Sequence, residues 1–299
     1  MEPDHRLSSK ECQTIGSAVT YGTAYLRKHQ LPNPHWDAEV IVRSILGCDR
    51  AFLFAHPEEP LSADQQRRIQ QWLLKRGRHY PTQYLRGEQE FFGREFKVEP
   101  GVLIPRPETE LLVEVSLELL AEMRAEAGEV LDAGTGSGCI AVSLACELPL
   151  AVVTATDVSR VALKVAASNA ELHGCSKRIR FEKTNASDPL AQGSDRYHLI
   201  VSNPPYVGIS EKVWVEKSVL EYEPQGAVFA GPTGMEVYEL LLSGGRGVLR
   251  EEGRLVLELG HGQKQKVCNL AAGLGWSHLS TRKDLAGIDR CAVFGLDRS

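Results

Sequence analysis

The run Val130-Leu131-Asp132-Ala133-Gly134-Thr135-Gly136-Ser137-Gly138 constrains this chain more than any other, because it is an apolar strand that turns through three glycines into a helix. Glycine at these places lets the backbone turn sharply. It also lets a ligand approach the amides and the helix N-terminus, where partial positive charge favours a carboxylate or phosphate. Asp157 follows 23 residues after Gly134, at the end of the next apolar run. A carboxylate so placed can accept hydrogen bonds from both hydroxyls of a ribose. Loop and acid together predict an adenosine-containing cofactor. Nicotinamide and flavin cofactors call for Gly-x-Gly-x-x-Gly, and here the third glycine comes one residue early, with Asp132 two residues before the first. S-adenosylmethionine carries an amino-acid head where dinucleotides carry pyrophosphate, which fits a short loop with an acid beside it.

From residue 108 onward, helical patterns alternate with short apolar strands. Helices are expected over 108–125, from the glycine loop through Cys146, over 161–173 and over 263–272. Strands are expected over 129–132, 151–156, 179–183, 197–202 and 254–259, with a closing pair near 277–282 and 291–296. Such alternation predicts a parallel, doubly wound α/β sheet, and the tight final pair predicts an antiparallel edge.

Before it, over 14–78, apolar residues recur at helical spacing (Ala38, Ile41 and Ile45; Ile69, Trp72 and Leu73), which predicts a small helical bundle. Ser62 with Gln65 three residues on is a capping-box start for one of its helices. Between them Gly87, Gly93, Pro100, Gly101 and Pro105 interrupt any helical pattern, and 90–98 reads as a strand pair or extended linker. The expected organisation is a helical domain over 1–80, a linker or hairpin over 81–107, and an α/β domain over 108–299.

The strand 197–202 runs straight into Asn203-Pro204-Pro205-Tyr206. Ligands of a doubly wound sheet sit beyond the carboxyl ends of its strands, so this tetrapeptide is expected to share a crevice with Gly134–Gly138 and Asp157. The Asn203 side-chain oxygen and the Pro204 carbonyl can accept both hydrogens of an NH2 group and aim its nitrogen at a sulfonium methyl. Pro205 stiffens the turn, and Tyr206 can lie against the flat face of an amide or base. The implied activity is N-methylation of a planar amide or amine. Two acceptors pulling on the hydrogens favour the more pyramidal, electron-rich nitrogen of the transition state, so no dedicated general base is required.

A formal net charge of −5 argues against gripping nucleic acid through a bulk field. Seven scattered cysteines with no Cys-x-x-Cys pair predict reduced thiols and no metal site. Cys139 reads as a small apolar residue opening a buried helix, and His198 as a strand-end surface residue. The polar residues 1–10 lack a signal-peptide core, and no apolar stretch approaches the length of a membrane span, so a cytoplasmic enzyme is expected. Arg67, Arg68, Lys75, Arg76 and Arg78 form a basic helix end, read as a solvated face or as a docking surface for a protein substrate.

The glycine loop, Asp157 and Asn203-Pro204-Pro205-Tyr206 resemble those of class I methyltransferases that act on planar nitrogens. Within that group the chain resembles the release factor glutamine methyltransferases. The likeness extends through Tyr84-Leu85-Arg86-Gly87 with Phe91-Phe92, then Leu103-Ile104-Pro105-Arg106-Pro107-Glu108-Thr109-Glu110, Tyr222-Glu223-Pro224, Gly234-Met235, Glu258-Leu259-Gly260 and Asp284-Leu285-Ala286-Gly287. It implies a Rossmann-like, mostly parallel seven-stranded sheet behind a helical bundle that docks the release factor. It also implies methyl transfer from S-adenosyl-L-methionine to the glutamine of the Gly-Gly-Gln motif in class I peptide-chain release factors. No direct nucleic-acid contact, no membrane association and a monomer are the matching expectations. Carried over, Gly134, Thr135, Gly136, Ser137, Gly138 and Asp157 hold the cofactor, and Asn203, Pro204, Pro205 and Tyr206 hold the glutamine, Asn203 also bordering the cofactor. Arg106 and Glu110 match residues at the domain junction near the site, and a salt bridge fixing the linker explains them as well. After residue 184 the family often shows Asp followed by a bulky residue against adenine; here stand Asn185 and Ala186, with Asp188 as the substitute if the loop is offset. The alternatives are a glutamine methyltransferase of a ribosomal protein, an adenine-N6 nucleic-acid methyltransferase, and a non-catalytic cofactor-binding module.

Overall fold

The computed structural model describes residues 12–185, 188, 190 and 197–297. The chain divides into two compact units, Met1–Gly87 and Glu88–Ser299.

The first unit is all helical: α1 (Ile15–Lys28), α2 (Pro34–Leu46), α3 (Arg50–Ala55), α4 (Ala63–Gly77) and α5 (Thr82–Arg86). The capping box read from the sequence is formed at the start of α4, with Ser62 Oγ accepting from Gln65 N at 3.3 Å and Gln65 Oε1 accepting from Ser62 N at 2.8 Å. Ile15, Leu26, Ile41, Ile69 and Leu73 meet in the core. Gly22 lets α1 approach closely, since a Cβ there would lie 3.0 Å from Leu73 Cδ2 and 3.1 Å from Ala38 Cβ. Arg76, read as part of a basic surface, is instead turned inward onto Asp37 at 2.9 Å, with both side chains largely buried. Burial pushes the Asp37 carboxyl up, and the Arg76 guanidinium opposes it. The basic face of α4 therefore rests on its exposed members, including Arg67 and Arg68.

The stretch 81–107 is shared out: α5 belongs to the helical unit, while the hairpin of β1 (Glu88–Phe91) and β2 (Arg94–Lys97) belongs to the second unit. A 3-10 turn, Pro107–Thr109, then leads into α6 (Glu110–Glu122). There follow β3 (Glu129–Ala133), α7 (Cys139–Glu147), β4 (Val152–Asp157), α8 (Arg160–Leu172), β5 (Ile179–Lys183), β6 (Tyr197–Ser202) and β7 (Val207–Gly208). Next come α9 (Lys217–Tyr222), α10 (Gln225–Val228), β8 (Phe229–Gly231), α11 (Glu236–Val248) and β9 (Leu249–Glu258). The chain closes with α12 (Lys264–Gly273), β10 (Trp276–Lys283) and β11 (Asp289–Leu296).

The seven-stranded sheet runs β10-β11-β9-β6-β3-β4-β5. From β9 to β5 the pairs are parallel, and β11 is antiparallel to both β9 and β10, so the mostly parallel sheet with an antiparallel edge is present. Its inner strands are buried on both faces, which is why they read as unbroken apolar runs. One apolar cluster joins β3, α6 and α7, including Leu112, Val130, Ile140 and Val201; a second joins β6, α11 and β9, including Ile200, Tyr238, Leu241 and Leu255. The chain leaves β3 toward β4 and β5 and returns to β6 on the other side of β3. That reversal opens a crevice at the carboxyl ends of β3 and β6. The segment 207–248, for which the sequence reading offered no elements, holds α9, α10 and α11 and the short parallel pair β7 and β8.

Candidate active site

The crevice is a cavity of about 250 Å³ within the second unit, open to solvent. Gly134, Thr135, Gly136, Ser137, Asp157, Asn203, Pro204 and Pro205 all line it, so the glycine loop, the acid and most of the tetrapeptide converge as the strand order demands. Gly138, Tyr206 and Asn185 are not among its lining residues.

The loop holds itself up. Gly134 N and Thr135 N both donate to the Thr156 carbonyl, at 2.9 and 2.8 Å, and Gly138 N donates to the Thr135 carbonyl at 2.8 Å. Asp157 Oδ2 accepts from Gly136 N at 2.9 Å while Oδ1 accepts from Ser159 N at 2.8 Å, so the acid is tied to the loop before any ligand arrives. Much of the amide capacity expected to face a ligand is thus spent on the protein. What the glycines offer instead is room: a Cβ at Gly134 or Gly136 would meet nothing within 4 Å. Gly138 answers to a different need, since a Cβ there would lie 2.9 Å from Ala166 Cβ, and its absence lets α7 and α8 pack closely. Asn169 braces the same loop from α8 by donating to the Ser137 carbonyl at 2.8 Å.

Asp132 lies wholly buried beneath the loop. Its Oδ2 accepts from Thr135 Oγ1 at 2.6 Å and from Ala141 N at 3.1 Å, while Oδ1 has no partner among the described residues. Burial raises its carboxyl to about 7, against the two hydrogen bonds that hold it down. Burial also raises Asp157, opposed by its backbone amides.

On the facing wall Asn203 Nδ2 donates to Thr109 Oγ1 at 3.0 Å, and Thr109 Oγ1 donates to Glu258 Oε2 at 2.6 Å. The Tyr206 ring packs against the second apolar cluster, and its hydroxyl donates to Glu258 Oε1 at 3.3 Å. Burial raises the Tyr206 hydroxyl, reinforced by the Glu258 charge. Gln263 Nε2 donates to the Tyr206 carbonyl at 2.8 Å. Arg106 pairs with the buried Glu223 at 2.5 Å, and Glu223 also accepts from Ile104 N at 3.1 Å, which pins the strip 101–106 along the cavity. Glu110 accepts from Phe92 N at 2.9 Å. Both residues therefore act within the second unit, Arg106 fixing the stretch that follows the hairpin and Glu110 the hairpin turn itself.

Asn185 is exposed and bridges to Asp188, while its neighbour Thr184 lines the cavity with a buried Oγ1 that has no partner among the described residues. Ala186 lies outside the described residues. His198 Nδ1 accepts from Glu129 N at 3.0 Å at the far end of β6, and Cys139 is a buried thiol pushed up to about 12. Among the described residues no group of three or more His, Cys, Asp or Glu side chains could hold a metal ion, and no helix is long and apolar enough to cross a membrane.

Residues 17–87 match the PrmC N-terminal domain model and residues 109–221 the methyltransferase small domain model. A release factor glutamine methyltransferase of Koribacter versatilis is 39% identical over 280 residues, covering 94% of this chain and 98% of that protein. The chain belongs to the release factor glutamine methyltransferase family. Family members from Geobacter sulfurreducens (36% identical, 94% of this chain and 96% of that one) and Chlorobaculum tepidum (39%, 89% and 92%) extend the match across nearly the whole sequence.

The methyl donor of such an enzyme is S-adenosyl-L-methionine, and the site fits it. Two glycines leave the cavity floor clear, a carboxylate stands at the end of β4 where a ribose would lie, and beyond it the buried Thr184 hydroxyl has no partner among the described residues. Apolar Val158 and Ala162 line the same end of the cavity, as a flat base requires.

Proposed function

We propose that this chain methylates the side-chain amide nitrogen of the glutamine in the Gly-Gly-Gln motif of class I peptide-chain release factors. The observation that carries the reading is the orientation of Asn203. Its Nδ2 donates to Thr109 Oγ1, which leaves Oδ1 as the end that can accept, and Asn203 lines the cavity together with Gly134, Gly136 and Asp157. An enzyme that must hold the two hydrogens of an amide needs acceptors there.

When bound, S-adenosyl-L-methionine supplies an electrophilic methyl group on a sulfonium. Asp157 accepts the ribose hydroxyls with the lone pairs left over from Gly136 and Ser159. Thr184 Oγ1, which lines the cavity, would hydrogen-bond the base, a role the sequence assigned to Asn185. Gly134 and Gly136 let the amino-acid head lie close to the backbone, with Thr135, Ser137 and Gly138 shaping the turn. Asn203 Oδ1 and the Pro204 carbonyl accept the two hydrogens of the glutamine NH2 and turn its nitrogen toward the methyl group. Pro205 keeps that turn rigid, and Tyr206 anchors it through Glu258 and the apolar cluster. As the N–C bond forms the S–C bond breaks, S-adenosylhomocysteine leaves, and one amide proton passes to water. The two acceptors favour the nitrogen more as it gains pyramidal character, so their contribution falls on the transition state.

The helical unit docks the release factor, and the enzyme works in the cytoplasm as a monomer without direct contact to nucleic acid. Transfer of label from S-adenosylmethionine tests the reading. A release factor should take label while its Gly-Gly-Ala variant, a ribosomal protein mixture and duplex DNA should not. Label on DNA or on the Gly-Gly-Ala variant would overturn it.

A further inference from the structure

The Asn203 side chain has two ends of nearly equal shape, and only one of them suits an acceptor of N–H hydrogens. Shape alone does not choose between them. Behind Asn203, however, stand two buried polar residues whose hydrogen-bonding capacities do. Glu258 closes β9, and because Ser202 on β6 is paired with Leu257, it stands beside the start of the tetrapeptide. Thr109 ends the 3-10 turn before α6, and its exposure is 2%, that of Glu258 1%.

Above about pH 7, the value to which burial raises it, Glu258 is an ionised carboxylate and only accepts. Thr109 therefore spends its one hydrogen on Glu258 Oε2, and its oxygen is left to accept. The group that can donate to it is the NH2 end of Asn203, 3.0 Å away. The second carboxylate oxygen is taken by the Tyr206 hydroxyl, and the Tyr238 hydroxyl donates to the Glu258 backbone carbonyl at 2.8 Å, which fixes the strand end itself. A buried acid is costly to keep unless its partners satisfy it. Arg290, whose charge opposes the upward shift of the Glu258 carboxyl, is itself engaged with Asp284 at 3.2 Å and with the Leu259 carbonyl at 3.1 Å.

We propose that Glu258 and Thr109 are positioning residues that set the direction of the Asn203 amide, holding its Oδ1 toward the reacting nitrogen through a one-way chain of hydrogen bonds. This rests on the reading that Asn203 binds the glutamine amide. Without the Thr109 hydroxyl, keeping Nδ2 turned inward would leave a buried donor unpaired, so the amide turns over and presents N–H groups to N–H groups.

The test compares two pairs that differ in the hydroxyl: wild type with Thr109→Val, and Thr109→Ser with Thr109→Ala. In each pair, loss of the hydroxyl should lower kcat for release-factor methylation by about tenfold or more. The dissociation constant for S-adenosylmethionine, read by calorimetry, should stay within about twofold, and Thr109→Ser should keep most of the wild-type kcat. In an Asn203→Ala background, Thr109→Val should cost nothing further in single-turnover rate, because there is no amide left to direct. Equal kcat within both pairs, or the same loss with and without Asn203, would overturn the proposal. The second pair decides alone if the valine variant does not fold. Wild-type turnover on the release factor judges the functional reading separately, since the present inference is read from ratios between variants.

Discussion

Asp157 Oδ2 accepts the Gly136 amide at 2.9 Å, which couples the acid at the end of β4 to the loop at the end of β3 before a ligand binds. The carboxylate is thereby pre-set, and little ordering is left for the ligand to drive. Asp157→Ala should weaken S-adenosylmethionine by about tenfold to a hundredfold, the cost of losing hydrogen bonds to a charged acceptor. Equilibrium dialysis or calorimetry reads this directly. The KM for the release factor should change little.

Gly134 and Gly138 both have positive φ, +78° and +82°, yet they should fail differently when replaced by alanine. At Gly138 the added methyl meets Ala166, so thermal unfolding should shift down by an amount equivalent to about 1–3 kcal/mol. Ala166→Gly in the same chain should restore part of it. At Gly134 the methyl meets no protein atom, so the loss of stability should be smaller and the loss of cofactor affinity larger.

Asp132 is raised to about 7 by burial, from an ordinary value near 3.8. Below about pH 4 the carboxyl is neutral in both the folded and the unfolded chain. As pH rises toward 7 the unfolded chain has released this proton while the folded chain retains it, so stability falls through that window and levels off above it. Glu258, also raised to about 7, adds to the same slope. Asp132→Asn removes one of the two titrations. The stability of wild type relative to this variant, measured by denaturant unfolding without cofactor, should be greatest near pH 4 and should decline toward pH 7. A difference independent of pH would show that Asp132 titrates normally.

Arg67 and Arg68 lie on the exposed face of α4, while Arg76 is committed to Asp37. Reversing the charge of both exposed arginines should raise the KM for the release factor, more at low than at high salt, and leave cofactor affinity alone. An unchanged KM would remove this face from the docking surface.

The parallel core was legible because β3, β4 and β6 are buried on both faces and run into the glycine loop, Asp157 and Asn203 at the crevice, so the apolar runs and their chemistry coincide. α11 was not. Its last turns contain Gly244, Gly245 and Gly247, which argue against a helix locally. Two of them are there for packing: a Cβ at Gly245 would lie 3.3 Å from the Trp276 ring, and one at Gly244 2.7 Å from Leu190. The site divides in the same way. Asp157 and Asn203 announce themselves by standing at strand ends after recognisable runs. Thr109 and Glu258 meet across 149 positions of sequence, and only the register of β9 against β6 brings them behind Asn203. Tyr206 was expected to lie on the substrate; its hydroxyl donates to Glu258 and its ring packs on an apolar cluster, contacts invisible in the tetrapeptide itself.

The most direct measurement is tandem mass spectrometry of a release factor after incubation with S-adenosylmethionine and either the wild-type chain or Asn203→Ala. The account predicts one added methyl group on the side-chain amide of the Gly-Gly-Gln glutamine with wild type, and next to none over the same time with the variant. A methyl group on any other residue, or the same glutamine methylated equally fast without Asn203, would contradict it.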